Sequence, residues 1–265
     1  MINSSLKITA GLIKRILFKL KGNKTGFQKE AFISFDEVKN THTYNNINLI
    51  DHIFNKAKKA REKSHYEQDS IISNRPKPNK FFIEFLLYDY IDQIQFNKKI
   101  KVLDYGGSFG NTFFALEKYL NLKFDWYVYD QKKKIQLAKK TNIFKPVKFV
   151  YEDEIKKNYF YNMVLFSTSL QYFNNPLLVL KKLKNASKII LINNLILTDS
   201  KKNYLRVEKP DPTIYKYSYP CWFLSKSKFQ NTLKKYYRIT YSKTEHPYSL
   251  NKGENYYNLK LIKKI

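Results

Sequence analysis

Short apolar runs alternate with amphipathic segments through the middle of the chain. Each run is bounded by polar or turn-forming residues, which is typical of strands buried on both faces. Segments with apolar residues at helical spacing lie between most of the runs. This βαβα order predicts an α/β fold, with a mostly parallel sheet that is flanked by helices. The five predicted strands are Ile100–Tyr105, Phe124–Tyr129, Val147–Tyr151, Met163–Ser167 and Lys188–Ile192.

Different patterns lie on either side of this region. Upstream, the pattern predicts a helix over Leu49–Lys63 with Asn48 as its N-cap, and a strongly apolar helix over Phe81–Ile94. Downstream, three prolines predict that Lys201–Trp222 is a loop or lid. The final predicted elements are a helix, Lys226–Tyr236, and two strands that form an antiparallel pair, Tyr237–Ser242 and Tyr256–Ile262.

The first predicted strand ends in the most informative stretch of the chain, VLDYGGSFG. A strand, a glycine-rich turn and a helix predicted over Asn111–Leu120 follow one another here. Glycine allows turn conformations that other residues avoid and lets a ligand approach the backbone, and the first amides of the helix point toward that ligand. The stretch predicts a nucleotide-type cofactor site, and a turn without a ligand is the alternative. The predicted cofactor-binding residues are Asp104, Gly106, Gly107, Ser108 and Gly110.

The glycine spacing favours S-adenosylmethionine (SAM) over a dinucleotide. A dinucleotide site has the pattern G-x-G-x-x-G, but Tyr105 stands where its first glycine should be. The observed D-x-G-x-S-x-G is similar to the D/E-x-G-x-G-x-G motif of SAM-dependent methyltransferases, with Ser108 in place of the middle glycine. Asp130 ends the second predicted strand, where an acid accepts hydrogen bonds from both ribose hydroxyls of an adenosine ligand. Capping of the next helix is the alternative, and this acid does not separate SAM from NAD.

Polar residues follow the fourth predicted strand, in the segment MVLFSTSLQYFNNP. Ligands bind beyond the carboxyl ends of parallel strands, so this loop is expected beside the glycine turn. Ser167 is a predicted cofactor contact, Gln171 is predicted to contact the cofactor or the substrate, and Tyr172 is predicted to form a wall of the site. The alternative is the start of a helix that is capped by Asn174 or Asn175.

The chain carries a net charge of +27 over 265 residues. Such a charge is typical of proteins that bind nucleic acid, anionic membranes or phosphorylated ligands. The excess is mostly scattered lysine and no RNA-binding signature is present, so the sequence does not favour nucleic acid as substrate. Cys221 is the single cysteine, which excludes an intrachain disulfide and a cysteine-based zinc cluster. The four histidines lack metal-ligand spacing, so no metal is expected, and a reducing cytoplasm fits this composition.

The N-terminal segment is basic and amphipathic. Residues 1–29 contain seven Lys or Arg and no acid, and apolar residues recur there on one helical face. No charge-free run approaches the length of a membrane span. A basic amphipathic helix binds an anionic membrane surface, which would place a cytoplasmic protein at the inner face of the cytoplasmic membrane. Packing of the helix on its own domain is the alternative.

Three segments together resemble a family of SAM-dependent methyltransferases associated with surface-polysaccharide biosynthesis: VLDYGGSFG, STSLQYFNNP and PTIYKYSYPCWFLSKSKF. The segments HYEQDS and FISFDEV resemble upstream parts of the family, so the resemblance runs from about Phe32 to the C-terminus. Two positions depart from it. Gln68 stands where the family has arginine, and Asn193-Asn194 ends the fifth predicted strand where an acid and a base are expected.

The resemblance implies a class I methyltransferase-like (Rossmann-like) fold, with a seven-stranded sheet in the order 3-2-1-4-5-7-6 and a helical N-terminal extension. The predicted organisation is a leader over residues 1–30, a helical cap over 31–96 and a SAM-binding domain over 97–265, the last two forming one compact unit.

The implied reaction is methyl transfer from SAM to a hydroxyl of a sugar or lipid-linked glycan intermediate. Tyr66 is expected at the methionine end of the cofactor. Asp69 and Tyr219 are the candidate catalytic residues, with Glu67 and His65 as further candidate bases. One rival interpretation is an RNA or protein methyltransferase, which only the charge favours. Another is a catalytically silent SAM-fold binding module.

Overall fold

A computed structural model describes residues 26–38, 46–68, 71–74, 79–95, 99–120, 123–210, 217–245 and 250–264. Three predictions fall outside these residues: most of the leader (1–25), the candidate base Asp69, and the middle of the proline-containing segment (211–216). Within the described residues, helices cover both faces of one large sheet.

The elements are numbered in chain order. The strands are β1 (Gly26–Phe27), β2 (Tyr66–Gln68), β3 (Ile71–Ser73), β4 (Ile100–Tyr105), β5 (Phe124–Tyr129), β6 (Lys148–Phe149), β7 (Met163–Ser167), β8 (Ile189–Thr198), β9 (Tyr204–Lys209), β10 (Tyr219–Ser225), β11 (Tyr237–Glu245) and β12 (Glu254–Lys263). The helices are α1 (Ile47–Glu62), α2 (Lys80–Gln95), α3 (Asn111–Leu120), α4 (Lys132–Lys139), α5 (Pro176–Lys182) and α6 (Lys226–Leu233). A short 3-10 helix, Leu170–Tyr172, follows β7.

The central strands have the order β6-β5-β4-β7-β8-β12-β11. Strands β4 to β8 run parallel, whereas β12 lies antiparallel to β8 and to the edge strand β11. Counted along the chain, these seven strands follow the order 3-2-1-4-5-7-6 that the family resemblance implied. The predicted class I methyltransferase-like fold is therefore confirmed, and β4 lies where the strand order reverses.

The sheet separates two apolar layers, because neighbouring residues of a strand point to opposite faces. In β4, Val102 packs in the layer that contains residues of α1 to α4, whereas Leu103 packs in the layer that contains residues of α5 and α6. Phe82, Phe109 and Trp126 are fully buried in the first of these layers. Burial on both faces explains why the parallel strands are continuous apolar runs in the sequence.

The segment predicted to be a loop or lid, Lys201–Trp222, contains β9 and the start of β10 instead. These strands pair antiparallel, with Pro220 opposite Val207, and β10 then runs parallel to the end of β8 at Leu224. The prediction was wrong because proline is excluded only where its missing amide would have to donate to a neighbouring strand. Pro220 is the second residue of β10 and precedes the point where β10 meets β8.

The predicted helical cap contains a hairpin as well as helices. Strands β2 and β3 pair antiparallel between α1 and α2. Helix α1 is capped by Asn46 and not by Asn48, since the Asn46 side-chain oxygen accepts hydrogen bonds from the amides of Asn48 and Leu49 at 3.0 and 3.2 Å. The helix therefore begins two residues before its predicted start. None of the helices in the described ranges is both long and apolar enough to cross a membrane.

Candidate cofactor and acceptor site

A cleft of about 1630 Å³ lies at the carboxyl ends of β4, β5 and β7 and beside the middle of β8. It is lined there by the glycine turn after β4, by Asp130 after β5, by Ser167–Ser169 at the end of β7, and by Asn193 and Asn194 in β8. The hairpin β2–β3, the start of α2, and strands β9 and β10 complete its walls. This is the switch point of an open parallel sheet, where ligands bind in folds of this type.

Two glycines bring the backbone against neighbours that leave no room for a side chain. Gly106 has a positive φ of +81°, and a Cβ built on it would lie 2.7 Å from Cβ of Ser169. A Cβ on Gly107 would lie 2.5 Å from Cγ of Asp104. Both glycines line the cleft, so a ligand meets bare backbone at this point.

Ser108 occupies a position that suits glycine. Its backbone is left-handed, with φ +52°, which explains why the related motif has glycine here. Its amide donates a hydrogen bond to Oδ2 of Asp130 at 2.8 Å, so the turn is tied to the end of β5. Gly110 also has a positive φ of +83°, and a Cβ there would lie 3.0 Å from Val147. Gly110 is not among the residues that line the cleft, so packing of the turn accounts for this glycine.

Asp104 is a fully buried carboxyl group directly beneath the glycine turn. Burial raises its pKa to about 7, and Trp126 and Thr112 nearby offset only part of this effect. Neither makes a well-aligned hydrogen bond with it: among the described residues, both Asp104 oxygens and Nε1 of Trp126 have no hydrogen-bond partner. A fraction of this carboxyl group is therefore ionised at neutral pH, below a surface of bare backbone.

Asp104→Asn is expected to change how stability depends on pH. The folded-state pKa of Asp104, about 7, lies above its usual value of 3.8, so between these values the folded protein binds a proton that the unfolded chain has lost. The stabilisation from the protonated form is complete below about pH 4 and is lost as pH rises to about 7. Urea unfolding from pH 4 to 8 should show wild type losing stability relative to the variant until about pH 7. A constant difference would contradict this assignment.

Asp130 joins three elements of the site. Oδ2 accepts from the Ser108 amide, and Oδ1 accepts from the Gln131 amide at 2.7 Å. Nζ of Lys134, on the first turn of α4, lies 3.1 Å from Oδ1, and both side chains of this pair are buried. Asp130 thus lines the cleft where it was predicted to meet a ribose, while it also orders the glycine turn.

Strand β8 does not end at Asn193-Asn194, as predicted, but continues through both residues. Asn194 has a left-handed backbone (φ +53°), as does Thr168 (φ +55°) in the loop after β7. This conformation is an outlier for a β-branched residue, and such strain clusters at functional sites. The side-chain oxygen of Asn258 accepts from Nδ2 of Asn193 at 2.7 Å and from the Asn194 amide at 3.0 Å. An uncharged amide surface therefore lies where an acid and a base were expected.

Of the remaining predicted contact residues, some line the cleft and one is buried behind its wall. Ser167 and Tyr66 line the cleft, whereas Gln171 is 1% exposed and does not. Nε2 of Gln171 donates to the carbonyl of Asn194 at 3.1 Å, so this side chain holds the 3-10 helix against β8 instead of pointing at a ligand. Glu67 also lines the cleft, and its Oε2 accepts from Nδ2 of Asn111 at 2.5 Å, which ties the hairpin to α3.

A further wall of the cleft is aromatic and acidic. Tyr219 lines it and packs edge to face with Tyr172, with ring centroids 5.5 Å apart. The Tyr172 hydroxyl donates to Oε2 of Glu208 at 2.6 Å, and Glu208 faces the cleft as well. Sequence reasoning missed Glu208 because its segment was assigned to a loop. The alternation of apolar and charged residues in YLRVEK was the signal for a strand there.

The described residues contain no cluster of three or more His, Cys, Asp or Glu side chains that could hold a metal ion. No protein-family model matches the sequence, and no curated protein matches it. The resemblance to the polysaccharide-associated family therefore stays a prediction from the quoted segments.

Solved structures of similar fold include proteins described as SAM-dependent methyltransferases. The N-terminal domain of EvdMO1, solved with S-adenosylhomocysteine (SAH) and D-fucose, is 11% identical with a TM-score of 0.47, over 79% of this chain and 96% of that one. A SAM-dependent methyltransferase from Methanosarcina mazei is 11% identical with a TM-score of 0.47, over 67% and 96%. One from Aquifex aeolicus is 19% identical with a TM-score of 0.40, over 70% and 98%. Likeness at these identities concerns the fold alone.

Proposed function

We propose that this protein is a SAM-dependent methyltransferase. The observation that carries the proposal is the buried Asp104 carboxyl group directly beneath the bare backbone of Gly107. SAM carries a positive sulfonium and an ammonium group, which a negative charge below the turn attracts. The pyrophosphate of a dinucleotide is negative, and the same charge would repel it. The residues present therefore fit SAM better than NAD.

Three parts of the cleft would hold the cofactor. Gly106 and Gly107 offer backbone at close range, Asp130 offers a carboxylate to the ribose, and Tyr66 lies on the hairpin wall where the methionine end is expected. Bound SAM supplies an activated methyl group. The chain contributes by holding the acceptor in line with that group, because positioning accounts for much of the acceleration in such reactions.

The acceptor in this proposal is a sugar or glycan intermediate of surface-polysaccharide biosynthesis, as a small molecule or attached to a lipid carrier. The amides of Asn193 and Asn194 and the ring of Tyr219, all in the cleft wall, support it. Amide groups both donate to and accept from sugar hydroxyls, and an aromatic ring provides a face for a sugar ring. The sequence resemblance is the support for the polysaccharide role.

Calorimetry and a transfer assay test the proposal. The purified protein should bind SAM and SAH and should not bind NADH. With tritium-labelled methyl groups on SAM, label should pass to lipid-linked glycan and not to RNA or protein. Binding of NADH but not of SAM would overturn the assignment of SAM as cofactor. Label on RNA or protein would favour an RNA or protein methyltransferase. SAM binding without transfer to any of these acceptors would favour the silent module.

The proposal extends to residues 1–24, which we expect to hold the enzyme at an anionic membrane surface. The support is the basic charge and the apolar helical face of that segment, since each basic residue near such a surface contributes about 1 kcal/mol. A lipid-linked acceptor would be met there. Deleting residues 1–24 should abolish sedimentation with phosphatidylglycerol-containing liposomes and leave SAM binding intact. If the full-length and truncated proteins sediment equally, or if neither sediments, residues 1–24 do not attach the protein to the membrane.

A further inference from the structure

Glu208 is an acidic residue that the fold places in the cleft wall through strand pairing. It lies in β9, opposite Tyr219 in the neighbouring β10, and both residues line the cleft. On another side, the hydroxyl of Tyr172 donates to its Oε2 at 2.6 Å. The carboxylate is therefore held by a strand and oriented by a phenol, which is the arrangement that a group with a defined target requires.

A short series of contacts connects Glu208 to the cofactor turn. A Cβ on Gly106 would lie 2.7 Å from Cβ of Ser169, so the turn and this serine are in direct contact. The Tyr172 amide donates to the Ser169 carbonyl at 3.1 Å, and the Tyr172 hydroxyl reaches Glu208. Glu208 is thus one tyrosine side chain away from the loop that touches the proposed cofactor site.

Two other acids of the cleft are paired with lysines, whereas Glu67 accepts a hydrogen bond from the Asn111 side-chain amide. Asp130 and Glu152 each lie beside a lysine amine, at 3.1 Å from Lys134 and 2.8 Å from Lys182. A neighbouring positive charge stabilises the ionised carboxylate and weakens its ability to take a proton. The Tyr172 phenol that donates to Glu208 is neutral, so this hydrogen bond orients the carboxylate without adding a charge beside it.

The described titratable groups beside Glu208 include Tyr172, Tyr219, Cys221 and Tyr256, with Arg206 two positions earlier in β9. Burial raises the pKa of the Cys221 thiol well above its usual range, and the charge of Glu208 raises it further. The same two causes come first in raising the pKa of Tyr256. Both oxygens of Glu254 accept hydrogen bonds from Nη1 of Arg206.

We propose that Glu208 is the general base of the site and that the acceptor group is a hydroxyl. This inference rests on the proposed methyltransferase function. The acceptor oxygen forms a bond to the methyl carbon, and the carbon–sulfur bond breaks with its electron pair left on sulfur. The hydroxyl proton passes to the Glu208 carboxylate, which later releases it to solvent. Tyr172 is a positioning residue that orients this carboxylate.

Glu208→Gln tests the assignment, because it keeps the size of the side chain and removes its basicity. With tritiated SAM, and with lipid-linked glycan and a panel of free hexoses as acceptors, turnover should fall about a hundredfold or more. The dissociation constant for SAH should stay close to the wild-type value, which also shows that the variant is folded. Glu154→Gln is the control, since it neutralises an exposed acid that pairs with Lys139 outside the cleft, and it should keep its turnover.

The rate–pH profile separates a base from a structural residue. The wild-type rate should rise along an acidic limb as the base ionises, and Glu208→Gln should lack this limb. Tyr172→Phe should move the limb to higher pH, because the phenol no longer stabilises the carboxylate. Full turnover of Glu208→Gln would overturn the assignment, as would a wild type that binds SAH but methylates none of the hydroxyl acceptors. A wild type that binds neither SAM nor SAH would overturn the proposed function itself.

Discussion

Asp130→Ala is expected to weaken SAM binding by about tenfold to a hundredfold. A carboxylate has about four positions that accept hydrogen bonds, and three are used by the Ser108 amide, the Gln131 amide and the Lys134 amine. One is left for a ribose hydroxyl, where the sequence alone suggested two bonds. A hydrogen bond to a charged group is worth roughly 1.5–3 kcal/mol, and each 1.4 kcal/mol corresponds to about tenfold in affinity.

Calorimetry with SAH measures this effect. Asp125→Ala is the matched control, because Asp125 lies on β5, the strand that Asp130 follows, and pairs with Lys148 at 2.9 Å, but does not line the cleft. The control should bind SAH as the wild type does. Equal affinities for Asp130→Ala and wild type would show that the ribose does not meet this carboxylate. Since the substitution also leaves the buried Lys134 without its ion pair, unfolding of the variant should be measured alongside.

Arg206→Met is expected to lower the free energy of unfolding by about 3–5 kcal/mol, the usual cost of removing one partner of a buried ion pair. Nη1 of Arg206 donates to both oxygens of Glu254, and the two side chains are 4% and 5% exposed. Its Nε and Nη2 donate to the carbonyls of Gln28 and Phe27, so the guanidinium also anchors β1 to β9. The variant leaves the Glu254 charge buried and removes the two side-chain hydrogen bonds to Phe27 and Gln28.

Urea unfolding measures the loss, with Lys139→Met as the control. Lys139 pairs with Glu154 at 3.0 Å, but these side chains are 37% and 46% exposed, and exposed pairs contribute about 1 kcal/mol or less. The double variant Arg206→Met/Glu254→Gln should recover part of the loss, because the buried Glu254 charge is then removed as well. A loss for Arg206→Met no larger than that for the control would contradict this role.

Much of the parallel sheet could be predicted from local pattern. The predicted strands at Ile100–Tyr105, Phe124–Tyr129 and Met163–Ser167 have the observed bounds, as does the helix Asn111–Leu120. These elements are surrounded by other elements, so their apolar runs and helical periodicity report burial directly. The sheet order also followed from the resemblance. Gly106 and Gly107 were recognised from the glycine motif, and the structure shows that a Cβ on either residue would clash with a neighbour.

The hairpin of β9 and β10 could not be predicted in this way. The three prolines of this segment favoured a loop. Only the pairing of β10 with β9 shows that no strand needs a hydrogen bond from the backbone nitrogen at position 220. The same pairing brings Glu208 beside Tyr172, which is 36 residues away along the chain. For Gln171 the sequence predicted a ligand contact that the structure does not place in the cleft. Its side chain instead donates to the carbonyl of Asn194.

By itself, the sequence determined the class of fold and the location of the glycine turn, since both depend on residue types that are close together along the chain. Only the tertiary structure decided which polar groups face the cleft and which support it. Asp104 is separated from solvent by the turn that it supports, and Asn193 and Asn194 continue a strand that was expected to stop there. The physical reason is that burial and hydrogen-bond partners depend on contacts between distant segments, which local spacing does not record.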